Sequence, residues 1–514
     1  MANNTSTKKK PKSDVIWDTL NNRLGLKHFA YHVPEHAQSW PYMLGGITLA
    51  GFVILIVTGI YLGQFYNPNQ LNSHQSVLYI ISQAPFGNFA RSVHFWTANI
   101  VFGLVIAHLI RTFITGSYKR PREVTWLAGL GLLAVTIGFL FTGTMLSLGQ
   151  EGVEALEHNS EAGLLIGKVG AWFTGSFTSS VPLIGRVYVA HITILGALLA
   201  LFLAIHVYMI KIQGMSPKAS QNAHVGKSHE RVSYFNVHLK KLTGWAFILV
   251  AVVSLLALIW PESLTSVGAA GVEQTKPPWM FLWIFGMEDV FGIKSLIWGP
   301  ALLFALLAAI PFIDRSPYLS PWKRKRIMAL GLAIAAGLIY LSINAWRTPI
   351  MTMPSEGYLP RTVQQLKNFV FPVAYAHNMP FLSFTPTVVK PGQDVKISGD
   401  GLKTDGNYDI YLKSSQKNIL LGVATVDNGK DMFDADFTVP ANLPGDNYSV
   451  EMHSLKTPAF SFTATLQLAV QPTAATTSPA MPTHQSYPIP NKEVPWIIGL
   501  IAVSLALGWL LLFR

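Results

Sequence analysis

Eight stretches of this 514-residue chain are long and almost wholly apolar, near 42–65, 90–115, 125–148, 187–212, 243–260, 295–313, 325–345 and 494–513. About twenty such residues, rising 1.5 Å each as a helix, cross the hydrocarbon of a bilayer. No water there satisfies backbone polar groups, so each stretch is expected to be a helix closing its own hydrogen bonds. An all-α transmembrane bundle of eight spans follows. The charged fraction, 12% against about 25% in soluble domains, agrees. The first stretch starts too far into the chain, and is too long, for a cleaved signal peptide.

The formal net charge is +12, and its distribution decides what it means. Basic residues gather in the N-terminal tail (Lys8, Lys9, Lys10, Lys12), after the second span (Lys119, Arg120, Arg122), after the fourth (Lys218, Lys227, Arg231, Lys240, Lys241) and after the sixth (Lys323, Arg324, Lys325, Arg326), while the alternate loops are poor in them. That is the positive-inside pattern for an even number of spans with both termini cytoplasmic, so no nucleic-acid partner is expected. The chain has no cysteine, which excludes disulfides, thiolate metal sites and thioether-linked prosthetic groups.

Residues 1–41 form a polar cytoplasmic lead with an amphipathic surface helix expected over Ser13–Leu26. A four-helix unit (42–212), a polar linker (213–242) and a three-helix unit (243–345) follow, then a connector (346–378). Residues 379–471 alternate apolar and polar in runs such as DVKISG, YDIYLKS and YSVEMHS, divided by the turn signals PGQD, TDGN, DNGK and LPGDN. Short strands at that spacing predict a small Ig-like β-sandwich, placed outside the cytoplasm by the topology. A Pro/Thr/Ala-rich spacer (472–493) joins it to the last helix, 494–514. The sandwich carries no catalytic constellation, so docking or shielding is the role expected of it.

Of fifteen histidines, four lie within spans: His94 and His108 in the second, His191 and His206 in the fourth. Ionisable groups inside a membrane are costly and mark function by default. The spacings, fourteen and fifteen residues, are each close to four helical turns, so the two histidines of a span share one face at levels about 21–22 Å apart. Both spans run from outside to inside, which sets His94 level with His191 and His108 level with His206. Two facing imidazole pairs at two depths suit two flat metal macrocycles, each iron held from both sides as in bis-histidine haem. The alternative is histidines that merely hydrogen-bond helices together, and four in matched registers argue against it.

Gly45 and Gly59 in the first span, and Gly129 and Gly143 in the third, repeat the fourteen-residue spacing and leave room beside each haem. Arg91 and Arg186 near the outer pair and Arg111 near the inner one are candidates to bind haem propionates.

These residues carry a family likeness. RSVHFWTANIVFGLVIAHLIR followed by GSYKRPREVTW resembles the second helix of cytochrome b, and of cytochrome b6 in particular; YMLGGITLAGFVILIVTGIYLGQFY looks like the first and RVYVAH…AIHVYMIKIQGMSP like the fourth. KPPWMFLWIF and PFIDRSP resemble the separate subunit IV of b6f complexes, here joined in one chain. The likeness spans roughly residues 15–345 and omits the β-domain. It implies the cytochrome b subunit of a quinol–cytochrome c type oxidoreductase in a bacterial or archaeal cell membrane, using menaquinol or a similar quinol and working as a homodimer. Two b-type haems are implied, the outer on His94 and His191 and the inner on His108 and His206. Quinol would be oxidised near the outer face, its electrons divided between a Rieske iron–sulfur protein, with cytochrome c or another high-potential acceptor beyond it, and the haems, with quinone reduced near the inner face and protons moved across the membrane.

This chain departs from the family pattern in three places. Met43 replaces the cysteine that anchors an extra haem in b6-type proteins, so attachment there is excluded, while non-covalent binding of a third haem stays open. The quinol-site motif Pro-Glu-Trp-Tyr reads Pro277-Pro278-Trp279-Met280 followed by Phe281, and Glu288 or Glu273 is expected to take the missing glutamate's proton. After Thr142-Gly143 the usual Pro-Trp element is absent. At the inner quinone site, Lys211 stands where b6-type proteins have arginine, and Glu35 and His36 are placed to deliver protons. Two other readings stay open from sequence: a di-haem relay without bifurcation, and a membrane-anchored interaction protein acting through its β-domain.

Overall fold

The computed structural model describes residues 33–348 and 381–513, apart from breaks at 70–71, 179, 220–231, 234, 266–267, 269–274, 387, 401–405, 415–417, 427–432, 456–460 and 471–486, together with parts of 15–25. Most of the amphipathic segment expected over Ser13–Leu26, and Glu273, lie outside the described residues.

Among the described residues, eight helices are long and apolar enough to cross a membrane. They are α1 (Trp40–Gly63), α3 (Gly87–Ile114), α4 (Glu123–Met145), α6 (Leu183–Gln213), α7 (Phe235–Ile259), α9 (Ser295–Ile313), α10 (Lys325–Arg347) and α11 (Val494–Phe513). Three shorter helices sit between them: α2 (Ser73–Ser82), α5 (Gln150–Leu165) and α8 (Leu282–Phe291). Helix α5 was not foreseen from sequence. Its composition, QEGVEALEHNSEAGLL, is too polar to span, yet Val153 and Leu156 are buried against the bundle.

Helix α1 packs on α3, and α4 on α6, so each histidine-bearing helix has a glycine-bearing neighbour. Helix α7 closes against α1 and α3. Helix α6 is not uniform: a π-helical turn at Ala190–Ile194 interrupts it, His191 within it. A π turn takes up one extra residue. That explains why the fourth span needs fifteen residues between its histidines where the second needs fourteen.

A buried charge cluster welds the loop after α3 to the segment between α9 and α10. Asp314 lies 2.8 Å from Lys119 and 3.3 Å from Arg324, accepts from the Tyr118 hydroxyl at 2.6 Å, and all four side chains are almost wholly enclosed. Burial works against the Asp314 charge, but its Lys119 and Tyr118 hydrogen bonds and the two cations win and hold its carboxyl below the ordinary range.

The C-terminal domain comprises β1 (Phe381–Thr385), β2 (Val388–Val389), β3 (Asp394–Asp400), β4 (Asn407–Lys413), β5 (Asn418–Thr425), β6 (Phe433–Thr438), β7 (Asp446–Ser454) and β8 (Ser461–Val470). One sheet runs β2-β8-β7-β4-β5 and the other β1-β3-β6, both open-edged. Alternate residues face inward: Tyr408, Ile410 and Leu412 on β4 meet Val450 and Met452 of β7 and Phe384 and Ile397 of the second sheet in a shared core. Strand β8 packs against a 3-10 turn at Gly175–Phe177 and against α5, which seats the domain at the His94 end of the bundle.

Helix α11 returns to pack along α7. A Cβ on Gly508 would meet Ile248 at 2.7 Å and the Gly244 carbonyl at 3.1 Å, so the pair is closer than any side chain there permits. Ahead of it, the Glu493 carboxylate accepts from the Phe86 amide at 2.9 Å, and Phe86 holds a left-handed backbone (φ 54°) just before α3.

Candidate functional site

The four span histidines line up as two pairs. His191 of α6 lies within electrostatic range of His94 of α3, and His108 of His206. Their hydrogen bonds decide what each ring can do. The Thr58 hydroxyl gives its one proton to the Ile54 carbonyl at 2.7 Å, so toward His94 Nδ1, 2.9 Å away, it acts as acceptor. Thr142 does the same, donating to Gly138 at 2.7 Å and accepting from His191 Nδ1 at 2.8 Å. His206 Nδ1 faces the Thr125 carbonyl at 2.9 Å, which only accepts. Three rings therefore carry Nδ1–H and keep the Nε2 lone pair for a metal, the arrangement seen wherever histidine is a ligand held from behind. The Nδ1 of His108 is buried without a partner among the described residues.

The four glycines stand directly behind these rings. A Cβ would lie 3.1 Å from His108 Cε1 at Gly45, 3.4 Å from His94 at Gly59, 3.3 Å from His206 at Gly129 and 3.3 Å from His191 at Gly143. The room they leave is taken by the imidazole ring itself. Thr58-Gly59 and Thr142-Gly143 are the same dipeptide, threonine orienting the ring and glycine admitting it. That repeat is readable in the sequence.

The arginines differ. Arg91 donates to the Glu262 and Ser263 carbonyls at 2.8 and 3.1 Å, and its guanidinium lies 3.9 Å from the Glu262 carboxylate. Arg186 donates to the Trp172 and Thr174 carbonyls. Both thus brace loops at the His94 end of the bundle. Arg111 lies 3.9 Å over the Tyr42 ring with Nε buried and without a hydrogen-bond partner among the described residues, fitting an anionic neighbour beside the His108–His206 pair. His36 meets the same Tyr42 edge-on at 4.5 Å, so His36, Tyr42 and Arg111 form one stack at the inner end. Glu35 opens the 3-10 turn that carries His36, and Lys211 is exposed in the last turn of α6.

A cavity of about 350 Å³ lies at the His94 end of the bundle, between α4, α5 and the loop leading into α8. Its size suits a small ring molecule. Ile137, Gly138 and Phe141 of α4, Pro277, Pro278 and Phe281 of the loop, and Ile284 and Phe285 of α8 make an apolar enclosure. Among the described residues, Glu151, Glu154 and His158 of α5 are the titratable ones that line it. They recur at i, i+3 and i+7, an acidic and imidazole stripe on one helix face that sequence reasoning passed over.

The remaining expected quinol-site residues separate. Trp279 turns outward, its indole donating to Asn99 at 2.9 Å and its ring edge-on to Phe102 at 5.3 Å. Met280 is buried in the cluster with Phe102, Tyr118 and Trp126. Glu288 does not line the cavity; its carboxylate lies 3.8 Å from His158 Nε2.

A family model described as cytochrome b(N-terminal)/b6/petB matches residues 99–266. The chain is 31% identical over 342 residues to a cytochrome bc complex cytochrome b subunit of Chlorobaculum thiosulfatiphilum, covering 63% of this chain and 76% of the relative. It is 37% identical over 188 residues to cytochrome b6 of Heliobacterium mobile, covering 36% of this chain and 88% of that one. A chain of a solved structure titled hyperthermophilic respiratory Complex III shares its fold, with a TM-score of 0.55 and 20% identity over 69% of this chain and 94% of that chain. A relative above 30% identity matched over three quarters of its length, and two glycine-backed histidine pairs in the matched helices, agree in one conclusion: the chain belongs to the cytochrome b/b6 family.

Proposed function

We propose that this protein is the cytochrome b subunit of a bc-type complex, holding two b haems and carrying electrons from a quinol oxidised near one membrane face to a quinone reduced near the other, with protons moved across. The observation that carries the reading is the pair of facing histidines at each of two depths, three of the four with Nδ1–H held by an acceptor and Nε2 left to ligate. His94 and His191 would hold the outer haem, His108 and His206 the inner. When bound, the haems supply one-electron redox chemistry at two levels about 21–22 Å apart.

The chain's own residues do the rest. Thr58, Thr142 and the Thr125 carbonyl fix three ring tautomers and so the direction in which each lone pair points. Gly45, Gly59, Gly129 and Gly143 let the helices close on the rings. Pro277, Pro278 and Phe281 wall the outer cavity and exclude water from a bound quinol ring. Arg111 offers a cation to a haem carboxylate, and His36 and Lys211 offer protons to a quinone at the inner end. A Rieske-type iron–sulfur subunit and a high-potential acceptor complete the assembly as a homodimer, and the β-domain, on the face opposite the basic loops, docks against those outer subunits.

The test is purification of the intact complex with haem stoichiometry and a reduced-minus-oxidised spectrum on one sample. Two b-type signals per chain are expected, with His94→Ala removing one and His108→Ala the other. A colourless complex, or a variant that keeps both signals, refutes the assignment. The altered Pro277-Pro278-Trp279-Met280 motif favours one competing reading, a relay without bifurcation. Quinol-dependent haem reduction that requires an oxidised iron–sulfur partner decides for the bifurcating reading.

A further inference from the structure

Apart from Thr144 and Thr275, the polar lining of the outer cavity among the described residues comes from α5, and a quinol oxidised there must release protons. We propose that Glu151 accepts a proton from quinol, that Glu154 holds the loop wall in place, and that Glu262 is the next carboxylate on the way to water. This deepens the proposed function and rests on it.

The three titratable residues that line the cavity are distinguished by their bonds. Glu154 is saturated: it accepts from the Thr275 amide at 3.2 and 3.3 Å, from the Thr275 hydroxyl at 2.5 Å and from Gln150 Nε2 at 2.9 Å. Those bonds tie α5 to the residue two places before Pro277. His158 donates Nδ1–H to the Glu154 carbonyl at 2.9 Å and turns Nε2 toward Glu288 at 3.8 Å. Glu151 meets no hydrogen-bond donor among the described residues, so its carboxylate stays open to a quinol hydroxyl.

Burial, with the nearby Glu262 and Glu154 charges, pushes the Glu151 carboxyl up to about 7, where a proton taken from quinol is also readily released. Glu262 sits where the loop turns back over α3, beside Arg91 at 3.9 Å, with its side chain 26% exposed. The other charges around α5 are engaged elsewhere. Lys276 Nζ is held by the carbonyls of Ala345, Trp346 and Thr348, Asp289 accepts from the Thr348 hydroxyl, and Lys168 is exposed on the turn after α5. Glu157 and Glu161 lie further along α5 and do not line the cavity. Strand β8, packed on the far side, carries no titratable residue.

The step balances as follows. Quinol loses two hydroxyl protons and two electrons to become quinone. One O–H bond breaks as its proton joins the Glu151 carboxylate, and the other proton goes to a base beside the high-potential acceptor. One electron would go to the haem that His94 and His191 would hold and one to an iron–sulfur acceptor on a partner subunit.

The experiment measures oxidation of a short-chain naphthoquinol by the purified complex between pH 5.5 and 9, alongside its haem spectrum. Wild-type kcat is expected to rise through about pH 7. Glu151→Gln is expected to keep both haem signals, leave KM near wild type, lower kcat about 100-fold and abolish the rising limb, while Glu151→Asp restores a limb at shifted pH. Glu154→Gln is expected to raise KM and keep the limb. A Glu151→Gln complex with the wild-type profile, or loss of the limb in Glu288→Gln instead, overturns this assignment and leaves the proposed function standing. No quinol-dependent haem reduction in the wild type overturns both.

Discussion

Thr142→Val tests how the outer histidine pair is built. Valine matches threonine in shape and branching, so packing is retained. What goes is the acceptor 2.8 Å from His191 Nδ1; the Gly138 carbonyl, which took the hydroxyl proton, keeps its helical partner. A buried N–H left without an acceptor costs about 1–3 kcal/mol, about five- to 150-fold in an equilibrium, and losing such a partner behind a ligating histidine typically weakens metal affinity about 10–100-fold. Removing the acceptor also makes the imidazole a poorer donor to oxidised iron. If one tenfold factor of the loss falls on the oxidised state alone, the midpoint potential rises by about 59 mV. The assay is haem content and a potentiometric titration followed in the visible band. The expected result is a weaker-bound, higher-potential outer haem with the inner one unmoved, and the same change in Thr58→Val. An outer haem with unchanged occupancy and potential in both variants would refute the tautomer argument.

Gly45→Val is expected to push a side chain into His108, whose Cε1 lies 3.1 Å from the position of a Cβ, and to abolish the inner signal while sparing the outer; a difference spectrum checks it. Asp314→Ala leaves Lys119 and Arg324 buried and uncompensated, a loss of about 3–5 kcal/mol, read as a lower unfolding temperature in detergent. Because the Asp314 carboxyl is held below its ordinary value, its contribution is present above the unfolded pKa of about 4 and fades as pH falls through the lower folded value. The wild-type advantage over Asp314→Ala is therefore expected to be flat from pH 5 to 8 and to shrink only in stronger acid. Gly508→Leu collides with Ile248 and the Gly244 backbone and is expected to release α11 from α7, measured as new protease cleavage ahead of the last span.

The spans and the histidines were legible because both signals are periodic and strong: nothing but hydrocarbon asks for such lengths, and polar rings repeated every four turns cannot be chance packing. The sandwich was legible from alternation, as Tyr408, Ile410 and Leu412 illustrate. Helix α5 is not legible because most of its buried face is polar or glycine (Gln150, Glu154, Glu157 and Ser160 beside Val153 and Leu156), so its composition reads as a loop. The outward turn of Trp279 depends on Asn99, 180 residues away, a pairing no local pattern announces. The partners of Arg91 and Arg186 were not legible for a related reason: their guanidinium groups meet the carbonyls of Glu262, Ser263, Trp172 and Thr174, which only the folded backbone brings close. The π turn at His191 was present in the sequence as one surplus residue, legible only beside the second span.

The β-domain is anchored at both margins, behind by α10 and ahead by α11, whose seating on α7 and latch at Glu493 make it a second mooring rather than a loose tail. A module fastened twice cannot drift away or be diluted. Its surface meets whatever docks at that end of the bundle at an effective concentration of the order of millimolar. Contacts too weak to form between separate molecules are then populated most of the time, which lets the sandwich be a permanent doorpost without a tight interface of its own.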